Sequence, residues 1–133
     1  MKISATISNS LNQNNITVTT GDQSNTVTIA SKPTGFGSSV NGGELLLTSI
    51  AVCYCNDIYR EAAKKNIEIV SVDVEVTAQF AKDGEPGFAF NYKPKVVAAN
   101  ASPDRIRQLI EHVDTIAEIH KTLRQGVEVT LVK

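Results

Sequence analysis

Tryptophan is absent from this 133-residue chain, methionine occurs once, and there are only two histidines and two cysteines. Each scarcity excludes something. Two cysteines in the pattern C-x-C, at Cys53 and Cys55, do not make a zinc site by themselves. His112 and His120 stand eight residues apart rather than at the i, i+4 spacing of a helical metal pair. No metal or cofactor is expected, and both histidines read as exposed helix residues. An excess of charge of either sign is lacking too: 13 Lys and Arg stand against 14 Asp and Glu, and the cations are scattered. That leaves no electrostatic footprint for nucleic acid or an anionic membrane. The longest apolar run, LLLTSIAVCYC at 45–55, is eleven residues, too short to span a bilayer. The opening MKISATISNS lacks the apolar stretch of a signal peptide. A cytoplasmic protein is expected, in a compartment where thiols stay reduced.

What is present fits one domain over residues 1–133. Ile3, Ala5 and Ile7 alternate with polar residues, as do Ile16, Val18, Val27 and Ile29 in NITVTT and NTVTIA, with Gly21-Asp22 as turn material between them. About three antiparallel strands follow from that pattern. KPTGFGSSVNGG at 32–43 is loop by composition, and its GFGSS carries no Gly-Lys-Ser/Thr that would make it a phosphate cradle. Asn41 with Glu44 three residues on is a capping-box pair, opening a helix to about Lys65, where Asn66 and Ile67 can close it. The first half of that helix, 45–55, is apolar almost all round and is predicted to be buried on every side; the second half is amphipathic. VDVEVTAQF at 72–80 alternates cleanly, KDGEPG turns the chain, and Phe88, Phe90 and Tyr92 alternate in the return strand. Ser102-Pro103 starts a second helix with a buried stripe of Ile106, Leu109, Ile110, Val113, Ile116, Ala117 and Leu123. Gly126 stops it, and VEVTLV at 127–132 reads as a last strand. The order βββ-α-ββ-α-β predicts an α+β fold with two helices packed on antiparallel sheet.

Helical spacing separates the two thiols. At 100° per residue Cys53 shares its stripe with Ser49, Ile50, Asn56, Asp57 and Arg60, whereas Cys55 points the other way, beside Ala51, Val52, Tyr59 and Ala62. The apolar stripe makes Cys55 a core filler. The polar stripe makes Cys53 the candidate nucleophile: a guanidinium two turns on favours its thiolate, a carboxylate one turn on opposes it. Asp57 and Arg60 also form an i, i+3 pair at the surface. The two thiols diverge and are not expected to bridge.

In these respects the chain resembles the OsmC/Ohr proteins, the osmotically inducible protein C and organic hydroperoxide resistance family. The family's element order is the one read above. Its first helix opens on a motif like N-P-x-E-L-L and carries a cysteine twelve residues after the Asn, as Cys53 follows Asn41 with ELL at 44–46. Its second helix carries C-P-[VI]-S-x-x-L, then G-V-x-V, on which AEIHKTLRQGVEV at 117–129 falls. The resemblance implies an intertwined homodimer with sites at the subunit interface. It also implies reduction of organic hydroperoxides by two cysteines, the first forming a sulfenic acid that the second condenses with. Here the second cysteine's position is Ala117, the following proline's is Glu118, the family's activating Glu falls on Gly43, and no arginine precedes Arg60. The expectation is therefore a one-cysteine enzyme. Cys53 would react with a hydroperoxide or another electrophile and a small thiol or dithiol would resolve it. Arg60 (or Arg105, Arg107 or Arg124 of a second subunit) would assist, with Ser49 and Asn56 as hydrogen-bonding neighbours. The alternative is a dimer that has lost the chemistry and binds a small apolar ligand at the subunit interface, with Cys53 as one wall of the pocket. Without the proline, the second helix is expected to run straight through Ala117.

Overall fold

The computed structural model describes residues 1–133, and the chain forms two compact units, Met1–Leu45 and Leu46–Lys133. In the first, strands β1 (Ile3–Ser10), β2 (Gln13–Thr20) and β3 (Gln23–Thr28) form an antiparallel sheet in chain order. The register places Ala5 opposite Val18, and Ile7, Ile16 and Val27 in one row, so the alternation read in the sequence collects on one face. Gly21 takes a φ of +60° in the second turn, a conformation that costs a residue with a Cβ. The loop after β3 is stitched back by its backbone: Asn9 Nδ2 donates to the Gly37 carbonyl and accepts at Oδ1 from the Gly37 N–H, both at 3.0 Å. The GFGSS segment is thus a structural loop.

Helix α1 (Gly42–Lys64) starts in the first unit and runs through the second. Its capping box is formed as read: Glu44 N–H donates to Asn41 Oδ1 at 2.8 Å and Asn41 N–H to Glu44 Oε1 at 3.0 Å. At the other end Asn66 adopts φ +55° and the Ile67 N–H returns to the Ala62 carbonyl.

The second unit contains the hairpin β4 (Ile69–Gln79) and β5 (Phe88–Ala98), then helices α2 (Pro103–Ile116) and α3 (Glu118–Gln125). The fold is α+β with two antiparallel sheets. Its core has two facing rows at i, i+4 spacing: Tyr54, Ile58 and Ala62 on α1, and Leu109, Val113 and Ala117 at the end of α2, closed off by Ile67 and Val96. Ser102 caps α2 by accepting from the Arg105 N–H, with Pro103 in the first helical position.

Four expectations are corrected. The second helix does not run through: Ala117 has φ −58° and ψ 117°, which ends α2 and starts α3. Alanine does not impose that break, but it turns α3 so that His120 enters the core. His120 is accordingly buried, only 5% exposed, not a surface residue. The first half of α1 is not covered all round, since Leu45 and Val52 stay exposed while the fully buried Tyr54, Ile58 and Ala62 form one stripe. Residues 127–132 form no strand: β4 and β5 pair only with each other, and Val129 and Leu131 remain 92% and 80% exposed.

Candidate functional site

Of the sequence candidates, the fold brings three together. The Cys53 thiol donates to Asp57 Oδ2 at 3.8 Å, and Asp57 Oδ1 is held by Arg60 Nη1 at 2.8 Å. These residues lie on one helical stripe at i, i+4 and i, i+3 spacing, so local helix geometry suffices to assemble them. Asp57 was expected in a surface pair, but its side chain is 7% exposed and buried against unit two's core. Burying a carboxylate is costly unless it is paired, and Arg60 supplies the pairing while staying half in solvent. Cys53 itself packs against the cluster that contains Ala117.

The others are placed elsewhere. Ser49 Oγ donates to the Leu46 carbonyl of its own helix at 2.6 Å. Asn56 is exposed and lines a shallow groove with Cys55, Ala51, Val52, Val72 and Val74. Cys55 is therefore a half-buried groove residue and not the core filler its apolar neighbours suggested; both thiols are free. Ala117 is fully buried in the core, where the family pattern would put a second thiol. The remaining arginines are engaged: Arg105 with the Lys65 carbonyl, Arg107 with Asp104 and Glu111, Arg124 with Asp114.

Beyond Asp57 the charge network continues along α1. Glu61 meets Lys64 Nζ at 2.6 Å, His112 Nε2 at 3.0 Å and Arg60 Nε at 3.5 Å. The Lys64 and His112 hydrogen bonds hold its carboxyl down at about 2 against the opposing effect of burial. This network ties the second half of α1 to α2.

Sequence reasoning missed a second cluster. A cavity of about 300 Å³ is walled by Ile50, Val76, Phe90 and Leu123, with His120 and Arg124 among its polar residues. The His120 ring lies against Tyr92, centroids 4.5 Å apart and nearly perpendicular, and against Tyr54 at 5.5 Å. Tyr54 donates to the Ile110 carbonyl at 2.8 Å, and Tyr92 donates to Asp114, whose Oδ1 also meets Arg124 Nη2 at 2.7 Å. Burial, reinforced by the charge on Asp114, pushes both phenols well above their ordinary value, so both are neutral donors. Burial and the Arg124 charge push the His120 imidazole down, toward its neutral form. The signal was available: 109, 113, 117 and 120 continue one helical stripe across the break, which puts His120 on the buried side.

The arrangement is that of a small α+β protein with one core-packed thiol hydrogen-bonded to an ion-paired carboxylate. The family described as OsmC-like protein matches residues 35–132, and the chain belongs to that family. Among solved structures the chain is similar to the OsmC-like protein from Mycoplasma pneumoniae, with 22% identity, TM-score 0.63 and 93% of this chain and 89% of that one covered. It is similar to the organic hydroperoxide resistance protein OsmC from Legionella pneumophila, with 16% identity, TM-score 0.60 and coverages of 96% and 93%. A third likeness is to the organic hydroperoxide resistance protein OhrB of Bacillus subtilis, with 16% identity, TM-score 0.55 and coverages of 94% and 93%. At these identities they establish the shared fold. No curated protein matches the chain by sequence. No helix is long and apolar enough to cross a membrane.

Proposed function

We propose that the protein is a one-cysteine thiol oxidoreductase that reduces organic hydroperoxides through Cys53, with an external small thiol as the resolving partner. The observation that carries this reading is the Cys53–Asp57–Arg60 chain: a nucleophile with a carboxylate in hydrogen-bond reach, itself charge-balanced by a guanidinium. Two relatives by fold bear the name organic hydroperoxide resistance protein, which agrees with it. In the first step sulfur attacks the hydroperoxide's terminal oxygen and the O–O bond breaks. The thiol proton, passed by way of Asp57, ends on the departing alkoxide, so Cys–SH and ROOH give Cys–SOH and ROH. A small thiol then condenses with the sulfenic acid, releasing water and leaving a mixed disulfide. A second thiol molecule restores Cys53 and carries off the two electrons as its own disulfide. Reduced thiols of the cytoplasm would supply that partner. With Ala117 where a second cysteine would stand, the chain has no thiol of its own there.

The working form, on this reading, is a homodimer of the single domain 1–133. Support comes from apolar surface the single chain leaves open: Ile3 and Ile7 on one sheet face, Val52 on α1, and the alternating Val127, Val129 and Leu131 after Gly126. Light scattering of the pure protein tests this, and a monomer at micromolar concentration removes it. The chemistry is tested by peroxide consumption with a small dithiol and by trapping Cys53 sulfenic acid with a 1,3-dione. Adduct on Cys53 and turnover lost in Cys53→Ser support the reading; no adduct and no turnover leave a binding protein. That second reading has its own support in the apolar-walled cavity of about 300 Å³, although Cys53 does not line it.

A further inference from the structure

From the His120 cavity we infer a binding site for a neutral, apolar molecule carrying a single hydroxyl, of the phenol or alcohol class, with that hydroxyl on the His120 imidazole. Two independent observations meet here. One is the cavity of about 300 Å³ with apolar walls from Ile50, Val76, Phe90 and Leu123. It is about twice the size of the roughly 150 Å³ cavity that suffices to hold benzene. The other is that His120, 5% exposed and lining that cavity, has no hydrogen-bond partner on either ring nitrogen. Buried imidazole nitrogens normally have partners, and leaving them without one costs stability.

The neutral head follows from the surrounding charges. Arg124 on α3 faces His120 but is already neutralised by Asp114 of α2 at 2.7 Å. Asp57 of α1, the other charge that acts on His120, is balanced by Arg60. Tyr54 and Tyr92 are neutral and their hydroxyls are committed to Ile110 and Asp114. A carboxylate or an ammonium entering here finds every nearby charge already paired, Arg124 with Asp114 and Asp57 with Arg60, so neither gains a counter-ion for the water it loses. A neutral imidazole offers one donor and one acceptor, and a hydroxyl answers either. The rings of Phe90 and Tyr92, which line the cavity, favour an aromatic or branched apolar body over a flexible chain.

The chain has two histidines, so side-chain nitrogen NMR reads the site directly. With histidine-labelled protein at neutral pH, 4-ethylphenol is titrated against its hydrocarbon counterpart 4-ethyltoluene and against 4-ethylbenzoate. The His120 nitrogen resonances are expected to move while those of His112 stay, with the phenol bound up to about tenfold tighter than the hydrocarbon, the worth of one hydrogen bond. Leu123→Trp, which fills the cavity from its half-exposed rim, is expected to abolish the shift while the backbone spectrum stays folded. Cys53→Ser is expected to keep binding intact, which separates this site from the thiol chemistry: a parent protein that binds the phenol but consumes no peroxide fails the oxidoreductase reading and not this one. An unmoved His120, equal affinity for the hydrocarbon, tighter binding of the benzoate, binding that survives Leu123→Trp, or binding lost in Cys53→Ser would each overturn the inference.

Discussion

The thiol of Cys53 and the carboxylate of Asp57 face each other across one turn of α1, Sγ to Oδ2 3.8 Å, with Arg60 closing the other side of the carboxylate at 2.8 Å. Asp57 is thereby both the hydrogen-bond acceptor of the thiol, and on the proposed reading its base, and a buried anion that Arg60 must balance. Asp57→Asn keeps the shape and removes the base. Peroxide turnover is expected to fall by about a hundredfold, the lower range for losing a positioned proton-transfer group. Steady-state assays on the folded variant check it; unchanged turnover would reduce Asp57 to a structural partner of Arg60.

Glu61 is one of the carboxylates of the second unit held below the ordinary range. Its carboxyl is held at about 2 by Lys64 and then His112, below the ordinary value of 4.5. Because the folded value is depressed, the pairing contributes fully above pH 4.5 and is lost as pH falls toward about 2. Urea denaturation across that window is expected to show stability dropping with acidification. Glu61→Gln is expected to be less stable near neutrality and to have a flatter profile in the same window. A slope equal to that of the parent protein would assign the acid sensitivity to other carboxylates.

His120 works in a higher window. Burial and then Arg124 depress its imidazole below 6.5, so the unfolded chain takes up a proton before the folded one does. Stability is then complete above pH 6.5 and declines as pH falls through the folded value. Denaturant midpoints between neutrality and mild acid are expected to decrease, and His120→Leu is expected to remove that component. A profile unaltered by the substitution would show that His120 is not the sensing group.

How much of this was legible depended on whether the cause was local. The capping box at Asn41 and Glu44, the left-handed Asn66, the alternation of β4 and the proline start of α2 are short-range rules, and the fold obeys them. The Cys53, Asp57 and Arg60 stripe was legible for the same reason, being one helix face. Asp57's burial was not, because it depends on what packs over α1. The break at Ala117 had no local signal at all: alanine favours helix, yet this one has a ψ of 117° and a fully buried methyl. The His120 cavity depends on that break, on β4 and on β5 together, so no single segment announces it. The 127–132 segment has the pattern of a strand, but a pattern supplies no edge to pair with.

Ala117 is also where the family pattern can be restored. The methyl is fully buried in the cluster against which Cys53 packs. Ala117→Cys adds one sulfur to a filled core, an overpacking expected to cost about 1 kcal/mol, read as a lower denaturant midpoint. If Cys53 forms a sulfenic acid, the new thiol, in the cluster against which Cys53 packs, is expected to condense with it, expelling water and closing a disulfide. Peroxide treatment is then expected to remove two free thiols per chain and lower the mass by two hydrogens, and turnover with a dithiol is expected to resist overoxidation of Cys53. Cys55, pointing into the groove on the far side of α1, stays free and serves as the internal control. Mass spectrometry of the oxidised variant decides it. A disulfide between residues 53 and 117 would mean that the one-cysteine protein lacks only its resolving thiol, whereas an untouched Cys53 would mean that its reactivity went when the second cysteine did.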